Sequence, residues 1–182
     1  MLYGLWLRIR HIAYNKGWKK SFRASTPTIC VGNVTVGGTG KTPHVEMLLR
    51  RLGVSDKWAF RPLAVLSRGY KRKSRGFQIV QPDSSASFAG DEPLQIARKF
   101  PGVTVAVDKD RVEGCKKLQG ADLIILDDAF QYRRLIPGLS IVLMDYNRPV
   151  YEDKLLPWGR LRDLPSRMQE ADIVIVTKCP VY

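Results

Sequence analysis

Acidic residues are scarce in this 182-residue chain, and at its start they are missing altogether: none precedes Glu46. Against 17 Asp and Glu stand 30 Lys and Arg, for a formal net charge of +13. Such a balance points to an anionic partner, whether a nucleotide, a nucleic acid or an anionic lipid or membrane. Cysteine is limited to Cys30, Cys115 and Cys179. An odd number without metal-ligand spacing argues against a disulfide framework and predicts a reducing, cytosolic setting. No run of about 18 apolar residues occurs, so no segment is expected to span a bilayer. No export signal is expected either, because Arg8 and Arg10 interrupt what would be its apolar core. What is present, 45% hydrophobic residues over this length, is enough for one α/β domain with a real core.

The chain is organised around Thr35-Val36-Gly37-Gly38-Thr39-Gly40-Lys41-Thr42. An apolar run at 28–34 leads in and a helical pattern at 42–52 leads out. Strand, glycine loop, Lys-Thr and helix form the layout of a phosphate-binding loop. Glycines at 37, 38 and 40 permit turns that a side chain would block. Successive backbone N–H groups then face one anion beside the positive end of a helix dipole. Lys41 is expected to reach the β- and γ-phosphates and Thr42 to hold Mg²⁺. Pro43 fits the first helical turn, where a missing N–H costs nothing. Thr35 stands where the general pattern has its first glycine.

Before the loop, Leu2, Leu5, Trp6, Ile9, Ile12 and Ala13 recur at helical spacing among Arg8, Arg10, Lys16, Lys19, Lys20 and Arg23. Residues 1–24 are read either as a basic amphipathic helix on a membrane surface or as a first helix packed on the core. After it, Glu46, Arg50 and Arg51 are expected to be solvated. Residues 63–66 read as a buried strand followed by Ser67-Arg68-Gly69-Tyr70, a strand-end loop of the kind that holds ligands in open α/β sheets. A short strand at 76–80 and a flexible Ser-rich loop at 82–89 follow. Asp91 and Glu92 open a helix that runs to Phe100, where carboxylates suit the dipole as caps or serve a site. Residues 103–107 read as a strand and 108–118 as a helix with a charged face. The apolar run 123–126 ends in Asp127-Asp128, the Walker B arrangement that holds a metal ion or its water. Residues 139–144 and 173–176 read as further strands, with a Pro-, Gly- and Arg-rich loop at 155–163 between them. The alternation predicts a three-layer α/β fold with a mostly parallel sheet.

Taken together, these stretches resemble the tetraacyldisaccharide 4′-kinase family. The likeness is carried by V-G-N-V-T-V-G-G-T-G-K-T-P (31–43), S-R-G-Y (67–70) and G-D-E-P (90–93). It continues through D-D-A-F-Q-Y-R-R (127–134), L-L-P-W-G-R-L-R-D (155–163) and I-V-T-K-C-P (175–180). It covers nearly the whole chain, and Thr35 is normal there. The resemblance implies a P-loop NTPase fold and transfer of the ATP γ-phosphoryl group to the 4′-hydroxyl of an anionic tetraacyldisaccharide 1-phosphate. It implies peripheral attachment, through residues 1–24, to the cytoplasmic face of the Gram-negative inner membrane, with 25–182 as the kinase domain. By position, Thr35 to Thr42 bind the nucleotide, and Lys41 and Asp128 also act in catalysis. Thr42, Asp127, Asp128 and Glu92 serve Mg²⁺. Asp91 is the general base, and Tyr70, Gln131, Arg162 and Asp163 line the substrate cleft.

Two departures stand out. Ala129 and Tyr132 replace the family's usual Gly and His in D-D-G-F-Q-H, and Tyr132 cannot be a cation near neutral pH. Family members are also longer, with a second lobe whose histidine partners the base; His11 and His44 do not match it. Slow or absent turnover of this chain by itself is therefore expected. An ATPase or GTPase switch, or a nucleotide- and membrane-binding module, are the other readings. No specific nucleic-acid motif is present.

Overall fold

The computed structural model describes residues 2–180. The chain opens with helix α1 (Leu2–Asn15), then a two-residue strand β1 (Phe22–Arg23) and β2 (Thr28–Gly32). Next come α2 (Lys41–Gly53), β3 (Leu63–Ser67), β4 (Gln78–Ile79), α3 (Ala86–Ala89), α4 (Asp91–Lys99) and β5 (Thr104–Val107). Helix α5 (Arg111–Lys117), β6 (Leu123–Asp127), β7 (Leu135–Ile136), β8 (Leu139–Asp145) and β9 (Ile173–Thr177) complete the chain, with a 3₁₀ turn at Pro165–Glu170.

The main sheet has seven strands in the order β4-β5-β3-β6-β2-β8-β9. Every pair is parallel except β4 with β5. β1 and β7 form a small parallel pair of their own. Strands β3 and β6 are buried along their whole length, as expected where a parallel sheet is covered on both faces. Their successive side chains go to opposite layers. Leu66, Ile124 and Leu126 join Val112, Cys115 and Phe130 on one side. Val65, Leu123 and Ile125 join Val45, Leu49, Leu94 and Ile96 on the other. Helices α2 and α4 therefore share one face, which brings their N-termini to the same end of the sheet.

Two expectations are corrected. Glu46 is 5% exposed, not solvated. It faces α4, accepting hydrogen bonds from Lys99 Nζ and Gln95 Nε2, both at 2.7 Å. The Ser-rich stretch 82–89 is not all loop, because Ser85 accepts from the Phe88 N–H and caps the short helix α3.

Helix α1 turns most of its apolar stripe outward. Leu7, His11 and Ala13 are buried, while Leu2, Leu5, Trp6, Ile9 and Ile12 stay exposed. No helix among the described residues is long and apolar enough to cross a membrane.

Candidate active site

Strand β2 ends beside β6, with Val31 in register with Asp127. The chain then turns through the glycine loop into α2. Gly37 and Gly40 take φ values of 111° and 86°, a region where a side chain would be strained. The His44 ring closes the first turn of α2 against the Gly40 carbonyl at 2.8 Å.

Asn33, fully buried just after β2, is the hub behind the loop. Its side-chain amide donates to Thr39 Oγ1 at 2.7 Å. Its side-chain oxygen accepts from Arg162, and its main-chain carbonyl accepts from Gln131 Nε2. The segment 155–163 is laced to the glycine loop by main-chain bonds, Val36 N–H to Arg160 O at 2.7 Å and Arg162 N–H to Val34 O at 2.9 Å. This pairing carries the Arg162 guanidinium over the end of the sheet.

The two adjacent acids are in opposite states. Asp128 leaves β6 with a φ of 51°, which turns its carboxylate outward. There Arg162 binds both oxygens, one of them at 2.9 Å, and Lys41 Nζ stands 3.7 Å away. Burial alone would raise its pKa, but the bonds and charge of Arg162 and the charge of Lys41 outweigh it and hold the carboxyl below its ordinary value. Asp127 is fully buried, and neither of its oxygens has a hydrogen-bond partner. Its pKa is pushed up to about 7, first by burial and then by the charges of Glu92 and Asp128, with Lys41 pulling the other way. Ser67 also lowers it but stands outside ordinary hydrogen-bond geometry. A buried, unpartnered carboxylate at this strand end is a group in want of a cation.

Lys41, Tyr70, Asp91, Glu92, Asp128 and Arg162 are among the residues that line one cavity of about 420 Å³. Asp91 and Glu92 form the first turn of α4, whose cap position is Gly90 with no side-chain cap bond. Neither carboxylate is consumed in capping, and both are exposed. Thr35, Val36 and Gly37 line the same cavity, and its neighbour on the other side of the loop adds Gly38 and Thr39. Thr42 follows Lys41 in the first turn of α2.

Two expected cleft residues lie elsewhere. Asp163 is 0% exposed. It meets His11 Nε2 at 2.6 Å and accepts from the Leu164 N–H at 2.9 Å, under α1. Gln131 buttresses the Asn33 carbonyl and does not line the cavity. Sequence reasoning also missed two residues. Asn33 sat inside a quoted motif with no role given. Arg111, read as part of a charged helix face, is 5% exposed, with its guanidinium 5.0 Å from the Tyr132 ring centre. The charges of Asp127 and Asp128 reach it. Tyr132 donates to Asp110 at 2.8 Å. Among the described residues no cluster of three or more His, Cys, Asp or Glu forms a ready-made metal site. Asp127, Asp128, Glu92 and Thr42 are the groups that could join phosphate oxygens and water around an ion.

A phosphate-binding loop at the C-terminal end of an interior strand of a mostly parallel sheet, with a lysine and a strand-end acidic pair, defines the class: a P-loop nucleotide-binding fold. Within that class the chain belongs to the tetraacyldisaccharide-1-P 4′-kinase family, LpxK, whose sequence pattern matches residues 1–181. The tetraacyldisaccharide 4′-kinase of Phocaeicola vulgatus is 49% identical, over 98% of this chain and 49% of that protein. That of Porphyromonas gingivalis is 48% identical, over 98% and 50%. A crystal structure of LpxK from Aquifex aeolicus in complex with ATP superposes with a TM-score of 0.88 at 36% identity, covering 97% of this chain and 56% of that one. The chain thus spans about half the length of the curated relatives it matches.

Proposed function

We propose that this chain is the nucleotide-binding, phosphoryl-transferring half of a lipid kinase. It moves the γ-phosphoryl group of ATP to the 4′-hydroxyl of a tetraacyldisaccharide 1-phosphate in lipid A biosynthesis. The observation that carries the reading is the one cavity onto which the phosphate-loop lysine, Asp128, Asp91 and Arg162 converge, with Asp127 buried behind it. Phosphoryl transfer needs positioning and neutralisation of charge more than covalent help. The backbone of 35–42 cradles the triphosphate, and Lys41 and Arg162 bring positive charge to it. Bound Mg²⁺ supplies further neutralisation, and Thr42, Asp127, Asp128 and Glu92 are the residues that would hold it; the unpartnered Asp127 oxygens fit that task. Asp91 takes the proton from the attacking hydroxyl. Tyr70 orients the sugar, Gln131 acts through Asn33, and Asp163 acts through Arg162.

The same reading makes residues 1–24 a peripheral attachment to the cytoplasmic face of the Gram-negative inner membrane. Leu2 at 85% exposure and Trp18 at 71% extend an apolar face flanked by basic residues, as interfacial helices do. Each basic residue near an anionic surface adds about 1 kcal/mol. The test is transfer of labelled γ-phosphate from ATP to the tetraacyldisaccharide 1-phosphate. The chain supplemented with the C-terminal half of a full-length relative is expected to transfer, and Asp91→Ala to lose most of that activity. Full activity after Asp91→Ala removes Asp91 as base; no transfer by the supplemented chain overturns the kinase reading.

A further inference from the structure

The helix with the exposed apolar face is also bonded to the active site. On its inner side the Tyr3 hydroxyl donates to the Arg162 carbonyl at 2.8 Å, and Arg10 donates to the Gln131 carbonyl at 2.7 Å. His11 meets Asp163 at 2.6 Å. These partners all belong to the site's scaffold. Arg162 grips Asp128, Gln131 holds Asn33, and Asp163 is the next residue after Arg162.

Tyr3 stands in the first turn of α1, and that turn is poorly secured in water. It contains no acidic residue to balance the helix dipole. Its N–H groups lack intrahelical partners. Its neighbours Leu2 and Leu5 are 85% and 55% exposed. A turn with so little burial sits at the low end of local stability. Covering Leu2 and Leu5 with lipid stabilises the helical turn, and with it the hydroxyl that fixes the Arg162 main chain. The Arg162 side chain is in turn the principal counter-charge of Asp128 in the cavity.

We propose that α1 couples the lipid surface to the nucleotide site: docking of its outer face tightens ATP binding through the Tyr3–Arg162 contact. Tyr3, Arg10 and His11 are positioning residues in this scheme. The inference rests on the membrane-docking reading above and adds a regulation to it. Linkage requires the effect to be mutual, so ATP strengthens vesicle binding by the same factor.

The experiment is a calorimetric comparison of the Mg-ATP dissociation constant for the 182-residue chain, free and saturated with phosphatidylglycerol-containing vesicles, with phosphatidylcholine vesicles as control. Wild type is expected to bind ATP about 5-fold more tightly on the anionic vesicles. Tyr3→Phe removes one hydroxyl and leaves the outer face intact. It should co-sediment with vesicles as wild type does, yet show a ratio near one. Leu5→Ser combined with Ile9→Ser should lose vesicle binding and the shift together. If wild type binds both vesicles and ATP with no change in ATP affinity, the coupling is overturned while docking stands. If wild type fails to bind anionic vesicles, the docking reading falls and takes the coupling with it. An undiminished shift in Tyr3→Phe overturns the route through Arg162.

Discussion

Asp127→Asn measures a conflict between stability and function at the end of β6. The carboxyl is fully buried, and its pKa moves from 3.8 in the unfolded chain up to about 7. A group whose folded pKa is raised binds extra protons in the native state between those two values. Its stabilising contribution is complete below about pH 3.8 and is lost as pH rises through about 7. At about 1.36 kcal/mol per pH unit, the gap corresponds to a penalty of about 4 kcal/mol at pH 8 for protein without metal. Asparagine removes the charge but buries an amide whose hydrogens need partners, which costs about 1–3 kcal/mol. The net expectation is a gain of about 1–3 kcal/mol, or a rise in melting temperature of about 2–10 °C for a chain of this size. Calorimetric melts in EDTA at pH 8 should show it, and the gap should close towards pH 5 as wild-type Asp127 takes up its proton. Addition of Mg-ATP should then raise the wild-type midpoint more than the variant's. A variant less stable than wild type at pH 8, by a margin unchanged at pH 5, would refute the reasoning.

Lys41→Ala should weaken Mg-ATP binding by about 1.5–3 kcal/mol, the value of a charge-assisted contact; equal affinities by calorimetry contradict it. Glu46→Ala removes the acceptor of the Lys99 and Gln95 bonds between α2 and α4, and denaturant melts should show a loss of about 1–3 kcal/mol. Although burial raises the Glu46 pKa, Lys99 and Gln95 hold it below 4.5; its contribution is thus present above that pH and lost as pH falls through the folded value. Asp128→Asn frees Lys41 and Arg162 from their shared carboxylate, so ATP without Mg²⁺ should bind several-fold more tightly, as filter binding can measure, while transfer slows. Leu5→Ser with Ile9→Ser should leave the melting temperature almost unchanged, because these side chains are already 55% and 57% exposed, yet reduce co-sedimentation with anionic vesicles.

The parts of the fold written in short range were legible. The runs at 63–66 and 123–126 are buried on both faces and need no partner to be recognised as strands. The glycine loop declares its turns through Gly37 and Gly40. Periodicity could not decide between readings where the partner is distant in sequence. Leu2, Leu5, Trp6, Ile9 and Ile12 form the better apolar stripe of α1, but the buried side is Leu7, His11 and Ala13. The choice was made by hydrogen bonds to Arg162, Gln131 and Asp163, more than a hundred residues away. Glu46 was misjudged for the same reason, since its partners Gln95 and Lys99 lie on another helix. The family likeness puts Asp163 in the cleft with Arg162, because both fall in one motif. The backbone bends at this pair, the N–H groups of Arg162 and Asp163 both donating to the Val34 carbonyl, and the two side chains part. One enters the cavity and the other goes beneath α1.

The adjacent acids show how one short motif produces two environments. Asp127 is still in the strand, in register with Val31, so its side chain stays within the packed layer and finds no donor. Asp128 is one residue further, in a left-handed conformation, and its side chain swings to Arg162 and Lys41. On the proposed reading an approaching triphosphate would compete with Asp128 for those two cations, whereas a metal ion would meet no hydrogen-bonded competitor at Asp127. On that reading the site should discriminate between the free nucleotide and its Mg²⁺ complex before any chemistry occurs. Free ATP must displace the Asp128 carboxylate from both cations. Mg-ATP would bring its own positive charge, which Asp127 and Asp128 would help to hold, so Arg162 could serve the phosphates without leaving Asp128 an unneutralised carboxylate.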